Sequence, residues 1–479
     1  MTGHGRLLPP RLCFRGGEWT PEALDATARA WWAELRGALP DPPPLVATVL
    51  PVHPEGVALF FALCALPGTA VVTLAEDPTA WRSDPALPVD APLVLPPMLG
   101  ALAAAAESRG YRAITLSTAP PAPAVDPGYE PLSFGGVVAF TSGSTGPPKP
   151  VYRATPSLID AARVTAQALG MREGDGIIGA LPFSNTHGLG SVMATAIVIR
   201  GHVGLMDRFD HRTVLSLFAS GEYRYFPCTP LMAELLGRCA LSGPPPRAPE
   251  ICRVSAGHLP GPVFDTFKER FGVPLRPGYG STESGVITAD FGPADRVRWA
   301  SAGRALPGID VCVGDEPSQP LPTGRVGRVW FRSSIYMDGY GFPPKLEPRE
   351  ERDGWWPTGD LGRLDADGYL TLTGRLDDCF KAVSGQLVNP AEIVEVLRRH
   401  PDVREAAVLP LPTANGASIA ALVETANALD PGALRVHAAA ALPPWARPHT
   451  LIVVPELPRN LAGKIDRARC LTLLDAERR

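Results

Sequence analysis

The chain has 479 residues, 45% of them hydrophobic, and a formal net charge of −4. That length supports a large core and more than one domain, and with no long basic run the chain is a poor candidate for binding nucleic acid through a charged face. The eight cysteines stand at 13, 64, 228, 239, 252, 312, 379 and 470, never in Cys-x-x-Cys spacing, which argues against a structural zinc site and fits reduced thiols in a cytoplasmic protein.

Residues 1–10 lack the apolar core of a signal peptide. Thr20 before Pro21 and Glu22 marks a helix start. Residues 56–75 carry no charge and have the composition of a membrane span, but Pro67-Gly68 splits them into a helix and a strand. With the strand-like run 45–52 before them, they read as a strand–helix–strand unit, and no membrane span is expected. An Ala-rich helix is expected over 102–109, a strand over 113–116 and a Pro/Ala linker over 120–127. Further on, helices are expected over 157–169, 190–198 and 264–271, with strands over 176–181, 223–227, 251–255, 326–332 and 369–372. The last hundred residues look separate, with helices over 391–400 and 434–441 and a strand over 406–409, joined to the rest by the polar stretch 374–378.

Chemistry concentrates in five places. The apolar run 136–139 leads into Thr141-Ser142-Gly143-Ser144-Thr145-Gly146-Pro147-Pro148-Lys149, a loop with glycine amides, hydroxyls and one lysine. Successive amides form an anion nest, and the hydroxyls add donors, so the loop suits a polyphosphate. It is not the Gly-Lys-Ser/Thr loop of nucleotide triphosphatases, because prolines flank Lys149. Pro277-Gly278-Tyr279-Gly280-Ser281-Thr282-Glu283 offers a flat surface for a nucleobase, a donor at Thr282 and a hard oxygen ligand at Glu283. Asp360, after Trp356-Pro357-Thr358-Gly359, can accept both hydroxyls of a ribose. Arg375-Leu376-Asp377-Asp378 opens a run that continues through Lys381, Ser384 and Gly385, and Gly463-Lys464 lies in a turn near the C-terminus. Taken alone, each has an ordinary reading as a turn or a solvated lysine.

In this order, from residue 136 to residue 467, the motifs resemble those of the adenylate-forming superfamily: acyl- and aryl-CoA ligases, peptide-synthetase adenylation domains and luciferases. The first 130 residues match only loosely. The resemblance implies an α/β fold, with a large N-terminal domain of layered β-sheets and helices (1–374) and a small mobile α+β C-terminal domain (375–479). It implies two half-reactions: a carboxylate attacks the α-phosphate of MgATP, giving acyl-AMP and pyrophosphate, and a thiol then attacks the adenylate, giving a thioester and AMP.

The same resemblance implies the residue roles. Thr141, Ser142, Gly143, Ser144, Thr145, Gly146 and Lys149 would cradle the β- and γ-phosphates. Gly278, Tyr279, Gly280 and Ser281 would flank the adenine and acyl group, Thr282 would meet the α-phosphate, and Glu283 would bind Mg²⁺. Asp360 and Arg375 would hold the ribose. Lys464 would bridge carboxylate and nucleotide. Asp377 would be the hinge that withdraws Lys464 and brings Lys381, Ser384 and Gly385 to the thiol side. The acyl pocket would draw on 185–190, with Asn185, His187 and Gly188, on 223–226, with Tyr223 and Phe226 at its ends, and on Ala256 and Gly257. Peptide-synthetase domains place an aspartate after the Pro182 region to hold an α-ammonium, and this chain has none there. A buried ammonium without a counter-charge is costly, so the expected acid is non-amino, and the small pocket residues suggest a bulky apolar body.

Three departures from the family touch this site: Pro150 follows the loop lysine where the family usually has Gly, Asn185 stands where its ligases have His or an aromatic ring, and Pro277 precedes Gly278. They raise the alternative of a ligase that uses only a preformed acyl-adenylate. With no carrier domain after Arg479, CoA is the expected thiol, a separate carrier protein the alternative. Outside catalysis, the alternative is an acyl-nucleotide or acyl-CoA binding protein, which would have no need of Lys464.

Overall fold

The computed structural model describes residues 7–477, apart from 40, 42, 79–80, 82–90, 119–127, 133–134, 142–147, 242, 414–415, 426, 428 and 460–464. The chain divides into two compact units: 1–143, 147–310 and 332–354 make the first, and 144–146, 311–331 and 355–479 the second. The boundary expected after residue 374 falls inside the second unit.

The first unit is built on two large sheets. One has nine strands, in the order Arg304–Ala305, Gly285–Ala289, Leu275–Ser281, Ile251–Val254, Tyr223–Cys228, Gly176–Gly179, His202–Leu205, Arg11–Phe14 and Gly17–Trp19. Its central strands run parallel and its ends antiparallel. The other has eight, in the order Lys345–Glu347, Gly339–Phe342, Pro150–Ala154, Gly136–Phe140, Ala70–Leu74, Leu45–Val49, Leu93–Leu95 and Ala113–Thr115. Parallel strands need helical crossovers and end up buried on both faces. That is why Leu45–Val49 and Ala70–Leu74 are continuous apolar runs, every residue buried.

The uncharged stretch 56–75 lies inside this unit. Leu45–Val49 and Ala70–Leu74 pair in parallel, and the helix Pro54–Leu63 between them buries every residue except Glu55. A helix apolar on all sides belongs in a core. It packs against the helix Pro21–Ala38, where Trp32 Nε1 donates to the Ala65 carbonyl at 3.2 Å. That second helix starts at the expected cap, Thr20 Oγ1 accepting from the Ala23 amide at 3.2 Å. Among the described residues, no helix is long and apolar enough to cross a membrane. The eight cysteines form no disulfide.

The second unit holds a four-stranded sheet in the order Asp310–Val313, Gly327–Arg332, Trp356–Leu364 and Leu370–Arg375, the short pair Phe380–Lys381 and Leu387–Val388, and the three-stranded sheet Val403–Thr413, Gly416–Thr425 and Thr450–Val454. The helices Pro390–Arg398, Pro431–Ala441 and Arg467–Glu477 accompany that last sheet, and two apolar clusters fill its surroundings.

Two elements differ from the reading of the sequence for identifiable reasons. The strand expected over 406–409 runs from Val403 to Thr413, through Pro410 and Pro412. It is an edge strand, where a missing amide hydrogen is tolerated. The helix expected over 190–198 begins at Thr186 and widens to π-type bonding over Leu189–Ala194. Thr195 Oγ1 there donates to the Gly190 carbonyl, five residues back, at 2.7 Å. The strands Arg11–Phe14 and His202–Leu205 and the helix His211–Ser220 carried too little periodic signal to be anticipated.

The buried helix gives a stability prediction. Phe60 is 1% exposed, and Phe60→Ala should cost about 3–5 kcal/mol, read as a lower urea midpoint for the first unit. Val436 is 73% exposed, and Val436→Ala should stay within about 0.5 kcal/mol.

Candidate active site

The lysine-bearing loop closes on a small ladder. The Thr141 amide donates to the Lys149 carbonyl at 3.0 Å, and the Lys149 amide donates to Thr141 Oγ1 at 2.9 Å. Beyond that pair, Pro150 stands opposite Phe140 as the first residue of the strand Pro150–Ala154, a position where proline is tolerated. Ser142, Gly143, Ser144, Thr145 and Gly146 lie outside the described residues. The Lys149 ammonium sits 5.5 Å from the centre of the Tyr340 ring, within cation–π range.

Tyr340 connects this loop to the second motif, its hydroxyl donating to Glu283 Oε1 at 3.1 Å. Glu283 and Thr282 ride on the turn between the strands Leu275–Ser281 and Gly285–Ala289. Ser281 and Ser284 pin that turn: the Ser281 amide donates to Ser284 Oγ at 3.0 Å and the Ser284 amide to Ser281 Oγ at 3.2 Å. The Glu283 carbonyl accepts from the Met337 amide at 2.8 Å and from the guanidinium of Arg153. Arg153 is 5% exposed. Burial lowers its pKa to about 10, against the opposing pull of Asp338 and Glu283, so it stays a cation near neutrality. Sequence reading missed Arg153.

The expected acyl-pocket residues divide. Asn185 is a cap, its Oδ1 accepting from the Gly188 amide at 2.9 Å. His187, one turn into that helix, meets Ser255 Oγ through Nε2 at 2.9 Å. Ser255 in turn accepts from Arg253 Nη2 at 3.3 Å, and Arg253 Nη1 donates to Ser191 Oγ at 2.8 Å and to the Tyr225 hydroxyl at 3.4 Å. The widened helical turn is what places Ser191 there. Tyr223 and Phe226 do not join this group. Phe226 packs edge-on against Phe218 at 5.4 Å, and Tyr223 tilts against His202 at 5.3 Å. Tyr225, which strand alternation turns to the face opposite Phe226, does join it. Ala256 and Gly257 are exposed just after Ser255, Ala256 in a left-handed conformation with φ 68°. Tyr225 lies within the expected stretch 223–226, whereas Arg253, Ser191 and Ser255 are the partners that sequence reading did not single out.

In the second unit, Asp360 and Arg375 stand directly opposite each other across the hairpin Trp356–Leu364 and Leu370–Arg375, with Arg375 Nη1 at 3.4 Å from Asp360 Oδ1. The Asp360 amide donates to Thr358 Oγ1 at 3.1 Å. Asp377 sits on the short turn Leu376–Asp378, 4.0 Å from Arg375 Nη2. Lys381 is exposed in the strand Phe380–Lys381, and Ser384 and Gly385 form the turn that follows, Gly385 at φ 84°. Lys464 lies outside the described residues; its loop is bracketed by a bridge between Arg459 and Ile465.

Comparison with known proteins matches this organisation. The family model described as AMP-binding enzyme matches residues 136–341, and that of the AMP-binding enzyme C-terminal domain matches residues 392–464. A sulfoacetate–CoA ligase of Cupriavidus necator is 31% identical over 70% of this chain and 66% of its own length. A 3-hydroxybenzoate–CoA ligase of an Aromatoleum species is 30% identical over 76% of this chain and 69% of its own. Among solved structures, the amide bond synthetase McbA of Marinactinospora thermotolerans superposes with a TM-score of 0.81 at 27% identity, covering 98% of this chain and 97% of that one.

The environment of His187 sets a pH prediction. Burial, then the charge of Arg253, push its pKa down from 6.5 to about 3. A depressed folded-state value means that the unfolded chain takes up the proton first. His187 should therefore stabilise the fold fully above about pH 6.5, and progressively less as pH falls towards about 3. ¹⁵N-histidine NMR should find its ring neutral from pH 8 to pH 5, and His187→Asn should flatten the loss of stability over that window.

Proposed function

The chain belongs to the AMP-binding enzyme family, and from that premise we propose that it is an AMP-forming acyl-CoA ligase acting on a non-amino carboxylic acid. The observation that carries the reading is the linked group Lys149, Tyr340 and Glu283, which sets one cation and one carboxylate at the base of a Gly/Ser/Thr loop. The curated relatives are ligases of sulfoacetate and of 3-hydroxybenzoate. A buried guanidinium at Arg253 adds support for a non-amino acid, since an α-ammonium beside it would meet like charge.

In this reading the loop from Thr141 to Lys149 receives the β- and γ-phosphates, and Thr282 donates to the α-phosphate. Asp360 accepts from the ribose hydroxyls and Arg375 holds Asp360 in place. Among the described residues, no group of three or more acidic, histidine or cysteine side chains could hold a metal. The lone carboxylate of Glu283 fits Mg²⁺ that arrives on the nucleotide, because that ion is usually held by one or two carboxylates plus substrate phosphates. Bound there, Mg²⁺ would neutralise phosphate charge. Arg153 fixes the Glu283 backbone, and Tyr340 fixes its carboxylate. Catalysis then rests on positioning and on charge placed in advance of the reaction.

Lys464 meets the carboxylate and the α-phosphate during adenylation. A pivot near Asp377 then exchanges Lys464 for the turn Lys381–Gly385 on the thiol side, with the mobile domain starting at residue 375 and CoA as the acceptor. Pro150 lies in the strand beyond the Thr141–Lys149 pair, at a position where proline is tolerated, which supports both half-reactions on one chain. A cytoplasmic setting suits the unpaired cysteines.

The test is ATP–pyrophosphate exchange over a panel of carboxylic acids, followed by thioester formation with CoA. Wild type should do both. Lys464→Ala should lose exchange by about 10²–10³-fold yet keep thioester formation from the synthetic adenylate of whichever acid exchanges. Exchange without thioester would move the acceptor to a carrier-protein thiol or an amine. Absence of exchange with every acid, while synthetic adenylates still yield thioester, would leave the thioester-forming half alone.

A further inference from the structure

Arg253 is out of place by the ordinary rules of a core. It lies in the middle of the strand Ile251–Val254, flanked on both sides by parallel strands, and is 2% exposed. Among the described residues, no carboxylate forms an ion pair with it; its partners are the hydroxyls of Ser191, Tyr225 and Ser255. Its Nε is buried and has no hydrogen-bond partner. That edge of the guanidinium faces Gly278, where an added Cβ would stand 2.9 Å from Nε. Gly278 belongs to the strand that leads to Thr282 and Glu283.

A buried guanidinium without a counter-anion is unfavourable by several kcal/mol per ion. Hydroxyls meet its Nη1 and Nη2 but leave Nε without a partner, and they bring no charge. Each of the three accepts from Arg253, so the hydroxyl protons of Ser191 and Tyr225 can point elsewhere, while Ser255 Oγ also meets His187 Nε2. His187 does not supply the missing charge, since an imidazole is neutral or cationic and never an anion. The group therefore combines a cation and several rotatable donors, and lacks an anion. It lies between the helix that starts at Thr186 and the strands Tyr223–Cys228, Ile251–Val254 and Leu275–Ser281, which is where the acyl group is expected. The carboxylate to be activated belongs with Thr282 and Lys464, so the anion for Arg253 has to come from the other end of the acid.

We infer that Arg253, with Ser191, Tyr225 and Ser255, is the recognition site for a second anionic group, a carboxylate or sulfonate, at the distal end of the acid. The inference rests on the ligase reading and narrows it to dianionic acids. The planar fork of Arg253 matches either group in two-point contact. Discrimination is steep, because an acid with an apolar end leaves the guanidinium buried and unpaired.

Matched acids test this: adipate against hexanoate, and isophthalate and 3-sulfobenzoate against 3-methylbenzoate. Pyrophosphate exchange gives kcat/KM for each, and thermal shift without ATP gives a binding readout independent of catalysis. At least one dianion should exceed its monoanionic match by about 100-fold in kcat/KM and should raise the Tm where the match does not. Arg253→Met keeps the length of the stem and removes the charge. It should abolish that preference through KM, and Arg253→Lys should retain part of it.

Wild type that activates the monoanions as well as the dianions overturns the inference and leaves the ligase reading standing. Thermal shifts by dianions that vanish in Arg253→Met, with no exchange for any acid, uphold the anion site and sink the ligase reading. Dianions that neither shift the Tm nor exchange overturn the inference whatever the variants do.

Discussion

The bond from Arg153 to the Glu283 carbonyl ties the first unit's two sheets together at the point where chemistry is expected. Arg153 comes from the strand that leaves the lysine loop, and Glu283 from the turn that carries the hydroxyl and carboxylate motif. A hydrogen bond from a charged donor is worth about 1.5–3 kcal/mol, and breaking a buried ionic arrangement by removing one member costs about 3–5 kcal/mol. The larger figure governs here, because without its acceptor Arg153 would be a cation sealed in the core. Gly285 makes the approach possible: an added Cβ would stand 2.9 Å from Arg153 Nη1, and its φ of 68° already disfavours any other residue. The two motifs thus keep fixed spacing through a charge, which apolar packing alone would not direct so sharply.

Arg253 follows the same logic with a different ending. Both arginines are buried in strands and both lack an ion-paired carboxylate among the described residues. Arg153 has two acidic groups near enough to raise its pKa, Asp338 and Glu283. Arg253 has neutral hydroxyls and a neutral imidazole. The protein therefore supplies compensating charge where the arginine is structural and withholds it where a substrate is expected. A cation held in low dielectric by rotatable hydroxyls is arranged before the ligand comes, so little reorganisation is needed on binding.

Much of this was legible in the chain because glycine and proline punctuate it. Thr20-Pro21, Pro67-Gly68 and the apolar runs between them placed the first strand–helix–strand unit correctly, since capping and helix breaking are local. The five motifs were legible because their residue types are rare together. Arg153 and Arg253 were not, as a lone arginine in a short strand reads as a solvent-facing residue. The signal that would have found Arg253 is topological: a short strand expected to have parallel neighbours on both sides is buried on both faces, so a charge inside it has to be answered by something. Tyr225 lay within the expected stretch 223–226, but which of its residues faces the group was not legible. Strand alternation separates it from Phe226, but only the position of the neighbouring helix tells which face is the site.

The division of labour between arginine and lysine completes the argument. Groups that stay still in the proposed cycle are held by arginine: the Glu283 backbone by Arg153, Asp360 by Arg375, and the distal anion by Arg253. In the same proposed cycle, the groups that change charge or position during turnover, the polyphosphate and the reacting carboxylate, would fall to Lys149 and Lys464. Among the described residues, the Thr141–Lys149 pair includes the first lysine and the Arg459–Ile465 bridge flanks the stretch that holds the second. A single charge on a flexible stem can follow a phosphate as it departs, whereas a fork cannot do so without breaking its own hydrogen bonds. An Arg→Lys exchange at 253 would thus weaken recognition by loosening a contact that must be fixed, whereas a Lys→Arg exchange at 464 would impair turnover by fixing one that must be released.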